Sequence, residues 1–186
     1  PGQTGRPTLD PDDPQQFGEV LFPDWYPDFE YKKHRALADS IDVMRKVFDD
    51  YKVISGRMLA PVEAWDCDDA EFVLLGIGSM MQTARFAAQE MRQRGLKVGV
   101  LALSVFRPFP EQEVIEALRG VRTVLVLDRD IGYGTAGMVY PDVTRILYHL
   151  DQRPRALNFI IGTGGKDVTP ETIERTVALG SEADGS

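Results

Sequence analysis

Gly132, Gly134 and Gly137 stand in G-x-G-x-x-G spacing, a pattern that lets backbone close on a pyrophosphate where a strand turns into a helix. The run before them, Thr123–Leu127, is apolar and branched, as a strand buried on both faces requires. A helical pattern begins near Pro141. Strand, bend and helix in that order build the ligand crevice of open α/β sheets. The fit to a dinucleotide fingerprint is poor in two places. Asp128 to Ile131 separate the strand from the first glycine, and two of those residues are acidic and would repel phosphate. The acidic residue that should close the next strand and hold a ribose is missing, because that strand, Leu157–Ile161, runs into Gly162 and Thr163. The competing reading of the three glycines is a wide turn that needs positive φ or close backbone approach.

Other reactive types fall at the ends of neighbouring strand candidates. Ser79 follows Phe72–Ile77 and reads as a helix N-cap, since no histidine is placed to activate it. Arg107, in F-R-P-F-P, follows Val98–Val105. It could hold a carboxylate bidentately, or pair with Asp128 or Asp130 across the rim, or meet a partner domain. Gly164-Gly165-Lys166-Asp167 resembles the end of a phosphate loop, but Ile160 takes the first glycine position and Asp167 the hydroxyl position. His34 and His149 lie inside helical patterns, away from strand ends. Cys67 is the only cysteine. One thiol excludes a disulfide within the chain, a Cys-rich zinc site, and an iron–sulfur cluster held by this chain alone. The residues thus supply no complete catalytic set and no metal set. Ser79, Arg107, Asp128, Gly132, Gly134 and Gly137 remain as candidates to line a binding rim.

The elements that position them follow a repeating order. Strand candidates Phe72–Ile77, Val98–Val105, Thr123–Leu127 and Leu157–Ile161 are each followed by a helical pattern. The first helix shows Met80, Ala84, Ala87, Ala88 and Met91 on one face and Gly95 at its end. The second starts at Glu111 behind Pro110 and stops at Gly120. The third carries Val143, Ile146, Leu147 and Leu150, and the fourth opens at Thr169-Pro170. Repeated βαβ units predict an α/β fold, a three-layer αβα sandwich with a mainly parallel sheet over residues 70–179. Ahead of it, Leu37, Ile41, Met44, Phe48 and Tyr51 recur at spacings of three and four, predicting a long helix over 31–52. Val62–Trp65 reads as an edge strand within a 31–69 helix-and-edge segment. Residues 1–30 hold six prolines yet also Phe17, Leu21, Phe22, Trp25, Tyr26 and Phe29. That mixture reads as an extended linker arm whose aromatic residues dock on this domain or on a neighbour. Residues 180–186 read as a flexible tail.

Composition narrows the class. The chain of 186 residues is 43% apolar and 27% charged with a net charge of −8. An acidic surface disfavours nucleic acid and anionic membranes. No apolar run reaches the ~20 residues a membrane helix needs, and no basic-then-apolar leader opens the chain. A cytoplasmic setting is expected, and a first residue of Pro suggests a piece of a longer polypeptide.

The motifs taken together resemble one family. T-L-D-P-D-D-P, the helical segment from Tyr31, D-A-E-F-V-L-L-G-I-G-S-M-M-Q-T-A, G-L-K-V-G-V-L, F-R-P-F-P, V-L-D-R-D-I-G-Y-G and D-V-T-P-E occur in register. That order is similar to the C-terminal part of the alpha subunit of 2-oxoacid:ferredoxin oxidoreductases, most like pyruvate:ferredoxin oxidoreductase. Asp130 stands where the family's motif is closer to D-R-N. The resemblance implies a transketolase C-terminal-like domain within a holoenzyme that decarboxylates a 2-oxoacid on thiamine diphosphate. Such an enzyme passes electrons through [4Fe–4S] clusters to ferredoxin and the acyl group to coenzyme A, with Mg accompanying the thiamine. The thiamine site of that family lies between the alpha N-terminal region and the beta subunit. The resemblance therefore implies a structural, assembly-forming part, inactive by itself, whose partners are other domains and subunits of the complex. A nucleotide- or coenzyme-binding module built on Gly132–Gly137 is the alternative. Which 2-oxoacid is used, and whether the rim touches coenzyme A, stay open.

Overall fold

Phe72–Ile77 is six residues of almost unbroken apolar character, and it becomes the middle strand of five. In the computed structural model, which describes residues 10–12, 14, 18 and 20–184, the elements in chain order are α1 (Tyr26–Ser55), β1 (Val62–Trp65), β2 (Phe72–Ile77), α2 (Met80–Gln93), β3 (Val98–Leu103), α3 (Glu111–Ala117), β4 (Thr123–Asp128), α4 (Tyr140–Leu147), β5 (Arg155–Ile160) and α5 (Pro170–Asp184). The sheet order is β1-β3-β2-β4-β5. β3, β2, β4 and β5 are parallel, and β1 runs antiparallel to β3 at one edge.

Side chains alternate between two cores, as strand geometry dictates. Val73, Leu75, Val124 and Val126 point to a layer containing Val114 of α3, Leu118 just after it, and Val143, Ile146 and Leu147 of α4. Leu74, Val100, Leu125 and Leu127 point to the opposite layer, which holds the Met80–Met91 face of α2 and Ile173 and Val177 of α5. Each fully buried Val, Leu or Met stabilises the fold by about 1.5–3 kcal/mol before entropy is counted. Helices on both faces of a mainly parallel sheet make the αβα sandwich that the repeated pattern predicts.

Element ends differ from the sequence reading for identifiable reasons. The second parallel strand stops at Leu103, because the amides of Ser104 and Val105 leave the ladder to bond the Pro61 carbonyl at 2.9 and 3.0 Å. The last strand is Arg155–Ile160, starting two residues earlier than expected. The long helix begins at Tyr26, inside the stretch assigned to an extended arm, and ends at Ser55. Pro27 is tolerated there because a first-turn N–H has no helical acceptor. At the other end α5 continues to Asp184, past the expected boundary at residue 179. Thr169 caps it, its Oγ1 accepting the Thr172 N–H at 3.3 Å.

The chain divides into two compact units, residues 1–37 and 38–186. In the first, Phe22 and Trp25 meet edge to face at 6.1 Å, and Lys33 pairs with Glu30 at 2.7 Å. Phe17 and most of the residues before it lie outside the described residues. In the second unit, Ile41, Met44 and Phe48 of the predicted stripe are half-buried while Tyr51 is exposed. Among the described residues no helix is long and apolar enough to cross a membrane.

Candidate functional site

The strand order fixes where a site belongs. From β2 the chain goes through α2 to β3 on one side, and it returns through α3 to β4 on the other. α2 and α3 lie on opposite faces, so the carboxyl ends of β2 and β4 flank a topological switch point, where open α/β sheets form their crevice. Ser79 follows β2 there, and Asp128 closes β4.

Asp128 is 3% exposed. Its Oδ1 accepts the Val139 N–H at 2.8 Å, and its Oδ2 accepts Asn158 Nδ2 at 2.8 Å. Asn158, on β5, accepts the Gly137 N–H at 2.8 Å through Oδ1. The carboxylate and carboxamide thus fasten both Gly137 and Val139. A Cβ at Gly137 would collide with the Asp128 carboxylate, so only glycine fits there. The rest of the loop ties itself together. Gly132 N–H bonds the Ala136 carbonyl at 2.9 Å, Thr135 N–H bonds the Gly132 carbonyl at 2.9 Å, and Ile131 N–H bonds Asp130 Oδ1 at 2.9 Å. A Cβ at Gly132 would lie 2.7 Å from Thr135 Cγ2, and Gly134 sits at φ +76°. Close approach at two glycines and positive φ at the third account for the whole G-x-G-x-x-G spacing.

Arg107 reaches neither Asp128 nor Asp130. Its Nη2 donates to Asp142 of α4 at 2.9 Å, its Nη1 to the Phe106 carbonyl at 2.9 Å, and its guanidinium lies 3.9 Å from the Phe106 ring centroid. Asp142 is a first-turn acid of α4, placed within reach because α3 and α4 share one face. Ser79 occupies the N-cap position of α2 without capping it through its side chain. Its backbone is already helical, at φ −61° and ψ −28°, and the first turn is closed by Met81 N–H to Gly78 carbonyl and Gln82 N–H to Ser79 carbonyl, both 3.1 Å. Ser79 lines a cleft of about 220 Å³ with Thr83, Arg129 and Asp167. The six candidates therefore do not converge. Asp128 and the three glycines form one device, Ser79 borders another, and Arg107 belongs to the α3–α4 side.

Neither histidine joins the rim; both are exposed. Cys67 is 6% exposed, and its Sγ lies 3.4 Å from the Val100 carbonyl. Burial pushes the thiol up to about 11, so it stays protonated near neutrality. Asn158 and Asp142 were not singled out in the sequence. Asn158 carried a signal, a lone amide in the apolar run Ala156–Ile161, since a polar group on the covered face of a strand needs a partner.

These residues do not fit the cofactors the family resemblance implies. A pyrophosphate on the glycine loop would need its amides, yet those of Ile131, Gly132, Thr135, Gly137 and Val139 bond within the chain, and the Asp128 carboxylate fills the space beside Gly137. A four-thiolate cluster lacks three of its thiolates. Among the described residues no group of three or more His, Cys, Asp or Glu side chains could hold a metal ion.

The fold defines an α/β domain with a mainly parallel five-stranded sheet and a rim at its switch point. A solved split-gene transketolase, described as an inactive beta4 tetramer, aligns with a TM-score of 0.51 over 67% of this chain and 43% of that one at 15% identity, a likeness of fold. The model of the pyruvate:ferredoxin oxidoreductase core domain II matches residues 70–173, and the chain belongs to that family. Pyruvate synthase subunit PorA of Methanothermobacter thermautotrophicus is 35% identical over 91% of the chain, and ketoisovalerate oxidoreductase subunit VorA of Pyrococcus abyssi is 34% identical over 88%. The chain spans 43% and 42% of the lengths of those two relatives.

Proposed function

We propose that this chain is a noncatalytic, assembly-forming part of a 2-oxoacid:ferredoxin oxidoreductase that takes pyruvate. The assembled enzyme releases the carboxylate of the 2-oxoacid as carbon dioxide, transfers the acyl group to coenzyme A and passes electrons to ferredoxin, or runs in reverse. Thiamine diphosphate, Mg and [4Fe–4S] clusters are held by other domains and subunits, in the cytoplasm. Exposed Phe22, Trp25, Tyr26 and Phe29 contact those neighbours.

One observation carries the reading. α1 is 30 residues long and every one of them is described, yet none is buried. It displays Val43, Val47 and Ile54, which are 62%, 55% and 84% exposed. A helix of this length with exposed branched side chains gains from packing beyond what the described residues supply. The names of the relatives, a pyruvate synthase subunit and a ketoisovalerate oxidoreductase subunit, support other subunits of such an assembly as its source.

The test is reconstitution. Pyruvate, coenzyme A, thiamine diphosphate and an electron acceptor are added to this chain alone and to the enzyme assembled from all its subunits. Acceptor reduction is expected only in the assembly; turnover by the isolated chain refutes the proposal. Saturable binding of NAD, ATP or coenzyme A to the isolated chain, lost in Gly134→Val, would instead establish the Gly132–Gly137 module.

A further inference from the structure

The second half of α1 carries two stripes. Ile41, Met44 and Phe48 form the half-buried one. The other is Val43, Val47, Asp50 and Ile54, recurring at spacings of four, three and four, which is the spacing of a helix–helix seam. Val43, Val47 and Ile54 are each more than half exposed, and Asp50 is exposed with them. Lys46 borders this seam one turn before Asp50 and is exposed too. Its neighbour Arg45 is engaged by Asp42 and Glu113, whereas Lys46 and Asp50 form no ion pair among the described residues. An apolar seam with one cation and one carboxylate beside it is built to meet another helix.

We infer that this seam packs antiparallel against the same seam of a second copy of this chain in the assembled enzyme, about a two-fold axis level with the midpoint of residues 48 and 49; the inference rests on the assembly reading above. The charges select both the partner and the direction. In the register that sets Val43 opposite Ile54 of the partner subunit, Val47 faces the partner's Asp50. Lys46 then stands one residue, about 1.5 Å along the axis, from the level of that carboxylate. The two-fold repeats each contact, so two apolar layers enclose two Lys46–Asp50 pairs. Parallel pairing would instead set Asp50 against Asp50 and Lys46 beside Lys46, and like charges across a seam oppose association. A helix of another polypeptide would have to bring its own carboxylate to Lys46 and its own cation to Asp50. This seam already holds both, at the separation a two-fold requires. Such an isologous contact closes at two copies.

The test uses the assembled enzyme with Val43→Cys and Ile54→Cys combined in this chain. The two positions lie about 16 Å apart along one helix, too far to bond to each other, yet they face one another across the axis. Mild oxidation should join two copies of this chain covalently in the double variant and in neither single variant. A charge swap gives the second readout. Lys46→Asp should weaken the association of the two copies, followed by sedimentation equilibrium, roughly tenfold, because two exposed pairs become repulsive. Adding Asp50→Lys should restore it, since both copies change together. A different polypeptide on the seam keeps its own charges, so the swap would not rescue its binding. Absence of the covalent pair, or a swap that fails to restore association, overturns the inference. An active assembly without the covalent pair sinks this inference alone; failure of any oxidoreductase to assemble around the chain sinks the assembly reading with it.

Discussion

Asp128 and Asn158 lie on neighbouring strands with Asn158 Nδ2 donating to Asp128 Oδ2 at 2.8 Å, and Asp128 Oδ1 and Asn158 Oδ1 each accept one backbone amide after β4. This arrangement converts an acidic strand end, which would repel a phosphate, into the anchor of a turn. The sheet's switch point is thereby occupied by the chain's own hydrogen bonds on its β4 side.

Gly137 and Asp128 should be energetically coupled. Gly137→Ala drives a methyl into the Asp128 carboxylate and should cost about 1–3 kcal/mol as overpacking. Asp128→Ala leaves the buried Val139 N–H without its acceptor, at about 1–3 kcal/mol, and leaves the half-buried Asn158 amide with only the Val126 carbonyl. In the double variant the collision is gone, so Gly137→Ala should add little to Asp128→Ala. Urea denaturation of the four proteins gives the coupling directly. Strict additivity would show that Asp128 does not dictate the glycine.

Gly134 should respond differently. It has open space around its missing side chain but sits at φ +76°. Gly134→Ala should therefore cost about 1–2 kcal/mol from backbone strain alone, and the same amount in wild-type and Asp128→Ala backgrounds. A cost that depends on Asp128 would point to a loop that moves as one body.

Arg107 should matter little to stability. Its pair with Asp142 is half exposed on the arginine side, and such pairs contribute about 0.2–1 kcal/mol. Arg107→Ala should lower the denaturation midpoint by no more than that. A loss above 2 kcal/mol would mean that the stacking on Phe106 holds the F-R-P-F-P turn in place.

The sheet was legible because buried parallel strands leave continuous apolar runs, and β1 and β2 have the ends the sequence indicates. Helix faces were equally legible, since Met80, Ala84, Ala87, Ala88 and Met91 can share one face only on a helix. Partners across the fold were not legible. Nothing in F-R-P-F-P says that Arg107 will choose Asp142 over Asp128, because the choice depends on α3 and α4 packing side by side. The glycine spacing was visible and ambiguous. Its cause, the bond between buried Asp128 and half-buried Asn158, joins residues 30 apart that only strand pairing brings together. The start of α1 was missed because Pro23 and Pro27 look like breakers until the helix is seen to place Pro27 in its first turn.

Cys67 gives a pH signature. Burial raises its thiol from about 9 to about 11 in the folded chain, so between those values the folded state holds a proton that the unfolded state has released. The unfolded state then binds fewer protons, and stability falls with rising pH. The contribution is fully present below pH 9 and is lost as pH climbs toward 11. Denaturation midpoints measured from pH 8 to 11 should fall less steeply in Cys67→Ala than in wild type. Parallel slopes would show that the native thiol ionises as freely as the unfolded one.

Arg45 and Glu113 should hold the second half of α1 in place. Arg45 Nε and Nη2 both donate to Glu113 Oε1, at 3.0 and 2.6 Å, while Nη1 pairs with Asp42 at 2.7 Å. Glu113 Oε2 is shielded and makes no hydrogen bond, so removing Arg45 would strand a carboxylate that water reaches poorly. Both side chains keep about a third of their exposure, which sets the cost of Arg45→Ala near 1–2 kcal/mol, between a surface pair and a buried one. The effect should be local, because Ile41, Met44 and Phe48 are only half-buried. Amides from Ile41 to Ser55 should exchange faster in Arg45→Ala, while those of β2 and β4 keep their protection. Glu113→Gln retains an acceptor for the guanidinium and should give a smaller change. If exchange over Ile41–Ser55 is unaltered in Arg45→Ala, the apolar contacts of α1 hold it without the ion pair.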